Sequence, residues 1–370
     1  MAVALVHDWL TGMRGGERVL EALCGLYPDA DIFTLVHHPG AVSATIERHR
    51  IITSFIQRLP LARSHYRHYL PLFPAAIERL NLSAYDLVLS VSTCAAKAVI
   101  VPGHARHLCY CNSPMRYAWD QFDTYFGPAR KGYLASRFLY RPVMARLARW
   151  DAATAARVHR FVGNSAHVAG RIRRYYGREA TIVYPPVDTT FFHPADVIPG
   201  PHFLIVSALV PYKRIELAIA ACARVGARLR IVGEGPDRAT LEAGAGPHVE
   251  FLGHLSDEEV RNEYRRARAV LLPGEEDFGI VTVEAQACGR PVVALGRGGA
   301  LETVIDGENG LLYPDTDVAS LSAALERVAS TRFDSDEISR SAQRFSRERH
   351  VQRMREVIDE TIAAPAGARW

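Results

Sequence analysis

The chain is poor in the features that would place it across a membrane or in an oxidising compartment. None of its 370 residues lies in an uninterrupted apolar run of the roughly 18 that a spanning helix needs. The best candidate, Leu87 to Val101, carries Lys97 and is only as long as a strand plus a short helix. The opening MAVALVHDWL has no basic start and is broken by His7 and Asp8, so it reads as a first strand rather than a signal peptide. The six cysteines (Cys24, Cys94, Cys109, Cys111, Cys222, Cys288) form no Cys-x-x-Cys pair and have no histidines at zinc spacing. A disulfide framework and a structural zinc site are therefore not expected. Lysine is scarce: Lys97, Lys131 and Lys213 stand among 44 basic residues, the rest being arginine.

What is present is an ordinary globular composition, 48% apolar and 23% charged. At about 150 residues per domain, the length predicts two domains. The net charge of +4 is unevenly placed, with 23 Lys+Arg against 13 Asp+Glu in residues 1–190 and 21 against 27 in residues 191–370. The first half therefore suits anions such as phospholipid headgroups or a lipid-linked phosphate, unless its basic face is merely solvated. Dispersed basic residues and the lack of a recognition motif argue against nucleic acid.

Short apolar runs alternate with helical patterns throughout, as in βαβ units around parallel sheets. Strands are expected at 2–6, 31–36, 87–91, 107–111 and 160–163, with helices at 16–26 and around 134–159. Prolines 185, 186, 194, 199 and 201 interrupt the pattern, where neither helix nor central strand can continue. A second series follows at 202–207, 228–232, 249–252, 269–272 and 291–294. The division expected is an acceptor-side domain over 1–190, a nucleotide-sugar domain over 191–345, and a helix and tail over 346–370 packing back on the first domain. Two doubly wound domains facing a cleft would bind a ligand at the strand carboxyl ends.

The richest segment runs from Pro273 through Gly-Glu-Glu-Asp-Phe-Gly-Ile-Val-Thr-Val-Glu to Ala285-Gln-Ala-Cys-Gly-Arg-Pro-Val-Val. A strand ends near Leu272, and a helix starts near Gly279, so unpaired N–H groups and a positive dipole end could hold a diphosphate. Glu276 and Glu284 flank that terminus, and carboxylates accept hydrogen bonds from vicinal hydroxyls. Glu276 and Asp277 could instead act only as electrostatic caps, and Glu284 as an ordinary helix residue.

The segment resembles the Glu-x7-Glu signature of the retaining family 4 (group 1) glycosyltransferases of the GT-B fold. Further blocks resemble that family in order: Gly15–Leu20, Asn164-Ser165, Val183–Asp188, Leu209–Arg214, Ile231–Pro236, Phe251–Gly253 and Asp306–Gly310. The resemblance implies that Lys213 and Glu276 are the catalytic pair of groups, Lys213 stabilising charge on the leaving diphosphate and Glu276 holding the donor sugar. It places Gly15, Gly16, Asn112, Arg214, Gly233, Glu234, Asp277, Phe278, Gly279, Ile280 and Glu284 around the donor, with Glu284 on the ribose. Asp8 and Arg116 fall on the acceptor side. The glycine pair could alternatively just ease entry into the first helix.

Tyr110 to Asp120, with His7-Asp8-Trp9-Leu10, resembles a narrower group that uses GDP-mannose in bacterial surface polysaccharide synthesis. Asn112 departs from that group's histidine, and Ala208 stands where many members carry an arginine. The implied activity is transfer of a hexose, mannose from GDP-mannose above all, to a lipid-linked glycan on the cytoplasmic face of a membrane. No metal or other cofactor is called for. A sugar-nucleotide epimerase, or a donor-binding protein without turnover, are the competing readings. His37, His38, His65 and His68 read as surface or acceptor-loop residues rather than metal ligands. The basic, aromatic stretch Arg63–Phe73 reads equally as a membrane-facing element or a core-facing stripe.

Overall fold

The computed structural model describes residues 1–365 and 367–370. They form two compact units, Met1–Pro186 with Glu348–Trp370, and Val187–Arg347. The first unit holds strands β1 (Val3–His7), β2 (Asp31–Thr34), β3 (Ile51–Thr53), β4 (Leu87–Ser92), β5 (Arg106–Cys111), β6 (Arg160–Gly163) and β7 (Ala180–Ile182). All pair in parallel in the order β3-β2-β1-β4-β5-β6-β7. The second unit holds β8 (Phe203–Val206), β9 (Leu229–Val232), β10 (Val249–Gly253), β11 (Ala269–Leu272), β12 (Val292–Leu295) and β13 (Gly310–Tyr313), also parallel, in the order β10-β9-β8-β11-β12-β13. Both are Rossmann-like, and in each the strand order reverses beside the first strand, at β1/β4 and at β8/β11. The short strands β3, β7 and β13 were not among the expected ones.

Helices cover both sheet faces, which is why the central strands are almost wholly apolar. Those that matter below are α1 (Gly15–Leu26), α2 (Arg141–Thr154), α3 (Ala166–Tyr176), α4 (Ile215–Arg224), α5 (Asp257–Arg266), α6 (Ile280–Ala287) and α7 (Arg347–Ala363). The last of these closes the first unit's core: Met354, Val357 and Ile358 are buried against Leu5, Leu89, Leu108 and Tyr110. Arg160 of β6 fixes it with an ion pair to Glu360 at 2.8 Å. The proline-rich stretch beyond Pro186 lies along the second unit. There the Arg265 Nε donates to the His193 carbonyl at 2.9 Å, and the Phe192 ring meets Tyr264 edge-on at 5.9 Å. Within Arg63–Phe73 the stripe faces the core, for Tyr66, Leu70 and Phe73 are buried.

One carboxylate ties the first unit's switch point together. Asp8, just beyond β1, is 1% exposed and accepts four backbone N–H bonds from the segment after β4. Thr93 and Cys94 donate to Oδ2 at 2.6 and 2.9 Å, and Ala95 and Ala96 to Oδ1 at 2.6 and 2.7 Å. Only a group with two acceptor oxygens and no donor fits four converging N–H groups. Asp8→Ala strands all four, and chemical denaturation is expected to show a loss of at least about 3 kcal/mol. Asp8→Asn, which swaps one acceptor for a donor, should fall between it and wild type.

His107 of β5 is fully enclosed, with Nε2 2.8 Å from the Ser90 hydroxyl. Burial pushes its pKa from 6.5 down to about 3. The unfolded chain therefore takes up a proton that the folded chain refuses, and stability falls as pH drops from about 6.5 toward 3. The slope from this residue approaches about 1.4 kcal/mol per pH unit. Melting across that window should show His107→Gln with a shallower acid limb than wild type.

Candidate active site

In the second unit the candidate groups gather where β8 and β11 diverge. After β8 the chain makes a turn at Pro211–Lys213, then Arg214 takes a left-handed conformation (φ 53°) and caps α4. After β11 the acidic loop Gly274–Gly279 leads into α6, entered through Gly279 at φ 81°. The two loops touch through Gly274, where a Cβ would lie 2.3 Å from the Tyr212 carbonyl oxygen. That close approach delivers Lys213 to Glu276, residues 63 apart in sequence, and the ammonium donates to the carboxylate Oε1. Side-chain exposures of 19% and 10% make this a largely desolvated ion pair. A third loop supports it: the Gly299 N–H donates to the Glu276 carbonyl at 2.8 Å, and a Cβ on Gly298 would lie 2.3 Å from that same oxygen.

Glu284 projects from the second turn of α6 and accepts the Tyr264 hydroxyl at Oε2, 2.9 Å. Tyr264 is completely buried on α5, a helix started by a reciprocal Ser256–Glu259 capping box. Burial and the Glu284 charge hold the phenol well above its usual range, so it remains a donor. Asp277 and Phe278 are buried, and the Phe278 ring packs edge-on against Phe345 at 5.4 Å. They anchor the loop, which leaves its backbone and Gly279 to face a ligand. Ile280 is the first residue of α6. Glu234 pairs with Arg238, and Arg214 with Glu216 at 2.6 Å, both pairs being substantially exposed. A Cβ on Gly233 would lie 1.9 Å from the Ser207 carbonyl oxygen, so glycine there lets the loops after β8 and β9 close together.

The first unit has its own polar cluster at the strand carboxyl ends. Gly15 and Gly16 open α1, and a Cβ on Gly16 would meet Asn112 Nδ2 at 3.1 Å and His7 Nε2 at 3.2 Å. The Asn112 amide nitrogen is buried and has no hydrogen-bond partner among the described residues. His7 Nδ1 lies 2.9 Å from the Trp9 carbonyl, which can only accept, so Nδ1 carries a proton there. Asp8, expected on the acceptor side, is buried here, and both its oxygens hold the backbone described above. Arg116 lies beside Ser113, Nε to Oγ at 3.4 Å, and Ser113 also accepts from Arg171 at 2.8 Å. The rest of the 110–120 block is anchored inward. Tyr110 donates to the Val183 carbonyl at 2.8 Å, Tyr117 to Cys94 Sγ at 2.8 Å, and Trp119 Nε1 to Asp151 at 2.8 Å. Among the described residues no three His, Cys, Asp or Glu side chains gather as a metal site.

Gly274, Gly298-Gly299, Tyr264 and His7 were not singled out as site residues from sequence. The Arg297-Gly-Gly doublet before a short helix was the one available signal.

Comparison with known proteins agrees with this layout. The family described as Glycosyltransferase Family 4 matches residues 13–191, and that described as Glycosyl transferases group 1 matches residues 194–347. Between them the two family matches take in both halves of the chain. A D-inositol 3-phosphate glycosyltransferase of Geodermatophilus obscurus is 32% identical over 248 residues, covering 58% of this chain and 53% of that protein. A GDP-mannose-dependent alpha-(1-6)-phosphatidylinositol monomannoside mannosyltransferase of Mycolicibacterium smegmatis is 32% identical over 205 residues, 45% of this chain and 54% of its own. The chain thus spans about half the length of these relatives. Among solved structures, Anabaena HepE in complex with UDP superposes with TM-score 0.70 at 18% identity, covering 97% of this chain and all of that one. Thermosynechococcus elongatus sucrose-phosphate synthase gives 0.71 at 20%, covering 99% and all of it. These likenesses establish the GT-B fold.

Removing one member of the Lys213–Glu276 pair leaves a desolvated charge behind. Lys213→Met should therefore cost about 1–3 kcal/mol in urea unfolding. Lys213→Met combined with Glu276→Leu should recover most of that loss, a coupling that a double-mutant cycle measures directly.

Proposed function

We propose that this protein transfers a hexosyl group from a nucleoside-diphosphate sugar to a hydroxyl of a lipid-linked glycan, with retention at the anomeric carbon. The observation that carries the reading is the Lys213–Glu276 pair, seated beside the open N-terminus of α6 at the β8/β11 switch point. In the structure the two charges neutralise each other. A bound donor replaces that mutual contact, the diphosphate taking the ammonium and the α6 terminus, and the sugar hydroxyls taking the carboxylate. Glu284, held by Tyr264, is oriented to accept the ribose hydroxyls. As the sugar–phosphate bond breaks, negative charge grows on the diphosphate oxygen, and Lys213 and the helix terminus stabilise it without reorganising. That oxygen accepts the proton of the attacking acceptor hydroxyl on the face it leaves, so no protein nucleophile is required.

The Asn112 Nδ2, buried near His7 with no partner among the described residues, is a first-unit donor available to hydrogen-bond a sugar. For the donor we infer GDP-mannose. The Tyr110–Asp120 block supports it, and so does the mannosyltransferase relative from Mycolicibacterium smegmatis, against the UDP bound by the HepE structure. A thermal-shift screen of GDP-, UDP- and dTDP-sugars discriminates these, since a ligand at 100 times its Kd adds roughly 2.7 kcal/mol. GDP-mannose is expected to give the largest shift.

With the donor in hand, Lys213→Ala and Glu276→Ala should each reduce transfer at least tenfold, or about 1.4 kcal/mol of barrier, and EDTA should leave wild-type transfer unchanged. Near-normal rates in both variants would refute the site. Rearrangement of the nucleotide sugar without acceptor would show an epimerase, and donor binding without transfer a protein that has lost turnover.

A further inference from the structure

The first unit carries a surface that neither its core nor the transfer reading uses. Between Asp123 and Asp151 the chain has no acidic residue, but it has Arg130, Lys131, Arg137, Arg141, Arg146 and Arg149. In the middle of that basic stretch four large apolar side chains face solvent: Tyr133 (60% exposed), Leu134 (69%), Phe138 (68%) and Leu139 (58%). Exposed apolar residues scattered singly are ordinary, but four within seven residues of one helical segment are not.

The local geometry explains the presentation. Residues Tyr133–Thr154 run on through consecutive helical pieces, and Ser136–Tyr140 forms a wide turn in which the Arg141 N–H bonds the Ser136 carbonyl, five residues back. Pro142 follows at once and has no N–H to continue a regular ladder, so the wide turn absorbs the break. Within that turn the adjacent Phe138 and Leu139 both point outward. Further along the same helix Met144, Leu147 and Ala148 face the core, so the segment is fastened on one side and bare on the other. The cations sit close to the rings. The Arg137 guanidinium donates to the Tyr133 hydroxyl at 3.1 Å and lies 5.8 Å from the Phe138 ring centre, and the Lys131 ammonium is 5.7 Å from that of Tyr140.

We propose that this surface, Arg130 to Arg149, docks the protein on an anionic phospholipid bilayer, with Leu134, Phe138 and Leu139 entering the acyl boundary. The charge pattern selects that occupant. A second copy of this chain would bring six cations against six, whereas anionic headgroups neutralise them and leave the apolar tips in contact with hydrocarbon. Arginines flanking the tips can keep their heads at the phosphate level while their stems and the neighbouring rings lie deeper. The inference does not depend on the transfer reading, because its readouts involve no sugar.

Flotation of the full chain with phosphatidylcholine vesicles, with and without phosphatidylglycerol, tests it. Wild type is expected to float with the anionic vesicles and not the neutral ones, and to be released at high salt as the Debye length shrinks from about 10 Å at 0.1 M to about 3 Å at 1 M. Phe138→Asp with Leu139→Asp, and separately Arg137→Glu with Arg141→Glu, should each lower the bound fraction at least about tenfold, with melting and circular dichroism unchanged. All six native cysteines are buried, so Phe138→Cys can be labelled selectively with an environment-sensitive dye. Its emission should shift to the blue on anionic vesicles. The proposal is overturned if wild type binds no vesicle, if it binds neutral and anionic vesicles alike, if both double variants float like wild type, or if the dye at position 138 stays in water on bound protein. It is overturned equally if wild type is a dimer that the aspartate variant dissolves while vesicle binding persists.

Discussion

A parallel strand covered by helices on both faces has nowhere to present a reactive side chain except at its end. That constraint governs this protein twice over. In each unit the buried strands are mostly Val, Leu, Ile and Ala, and the candidate site groups gather where strand order reverses and two loops turn apart. The two switch points are used differently. In the first unit Asp8 takes the opening with four backbone bonds and makes it rigid, and Gly16, His7 and Asn112 form a small polar cluster beside it. In the second unit the opening is bridged by side chains, Lys213 reaching to Glu276.

The glycines of the second site set loop-to-loop distance. At Gly274, Gly298 and Gly299 a Cβ would intrude on backbone atoms of the neighbouring loop, so three separate loops can stack into one layer only without side chains there. The charged pair is thus a product of packing. Tyr264 serves Glu284 in the same way, a buried phenol on a well-capped helix holding one oxygen of that side chain.

Most of the architecture could be read from residue pattern, because fully covered strands are long apolar runs separated by turn residues. Three strands escaped notice: β3, β7 and β13 lie at sheet edges and span only three or four residues, too few to show a period. Within the site, Lys213, Glu276 and Glu284 were visible as chemistry at suggestive spacing. Their partners were not, since a contact across 63 residues, or a tyrosine inside an ordinary amphipathic helix, leaves no local trace. The backbone bonds of Asp8 were hidden for a related reason. A carboxylate after a first strand looks the same in sequence whether it meets a ligand or the chain's own N–H groups.

The last helix, α7, is part of the first unit although all of the second unit lies between them in sequence. Met354, Val357 and Ile358 cover the same sheet face as Leu5, Leu89 and Leu108. During synthesis from the N-terminus, that face has Val19, Leu20 and Leu23 of α1 on it but lacks the α7 side chains while the ribosome makes the whole of Val187–Arg347, and it closes only when that helix emerges. The second unit can complete its own core before the first can, so the order in which the domains mature is the reverse of the order in which they begin.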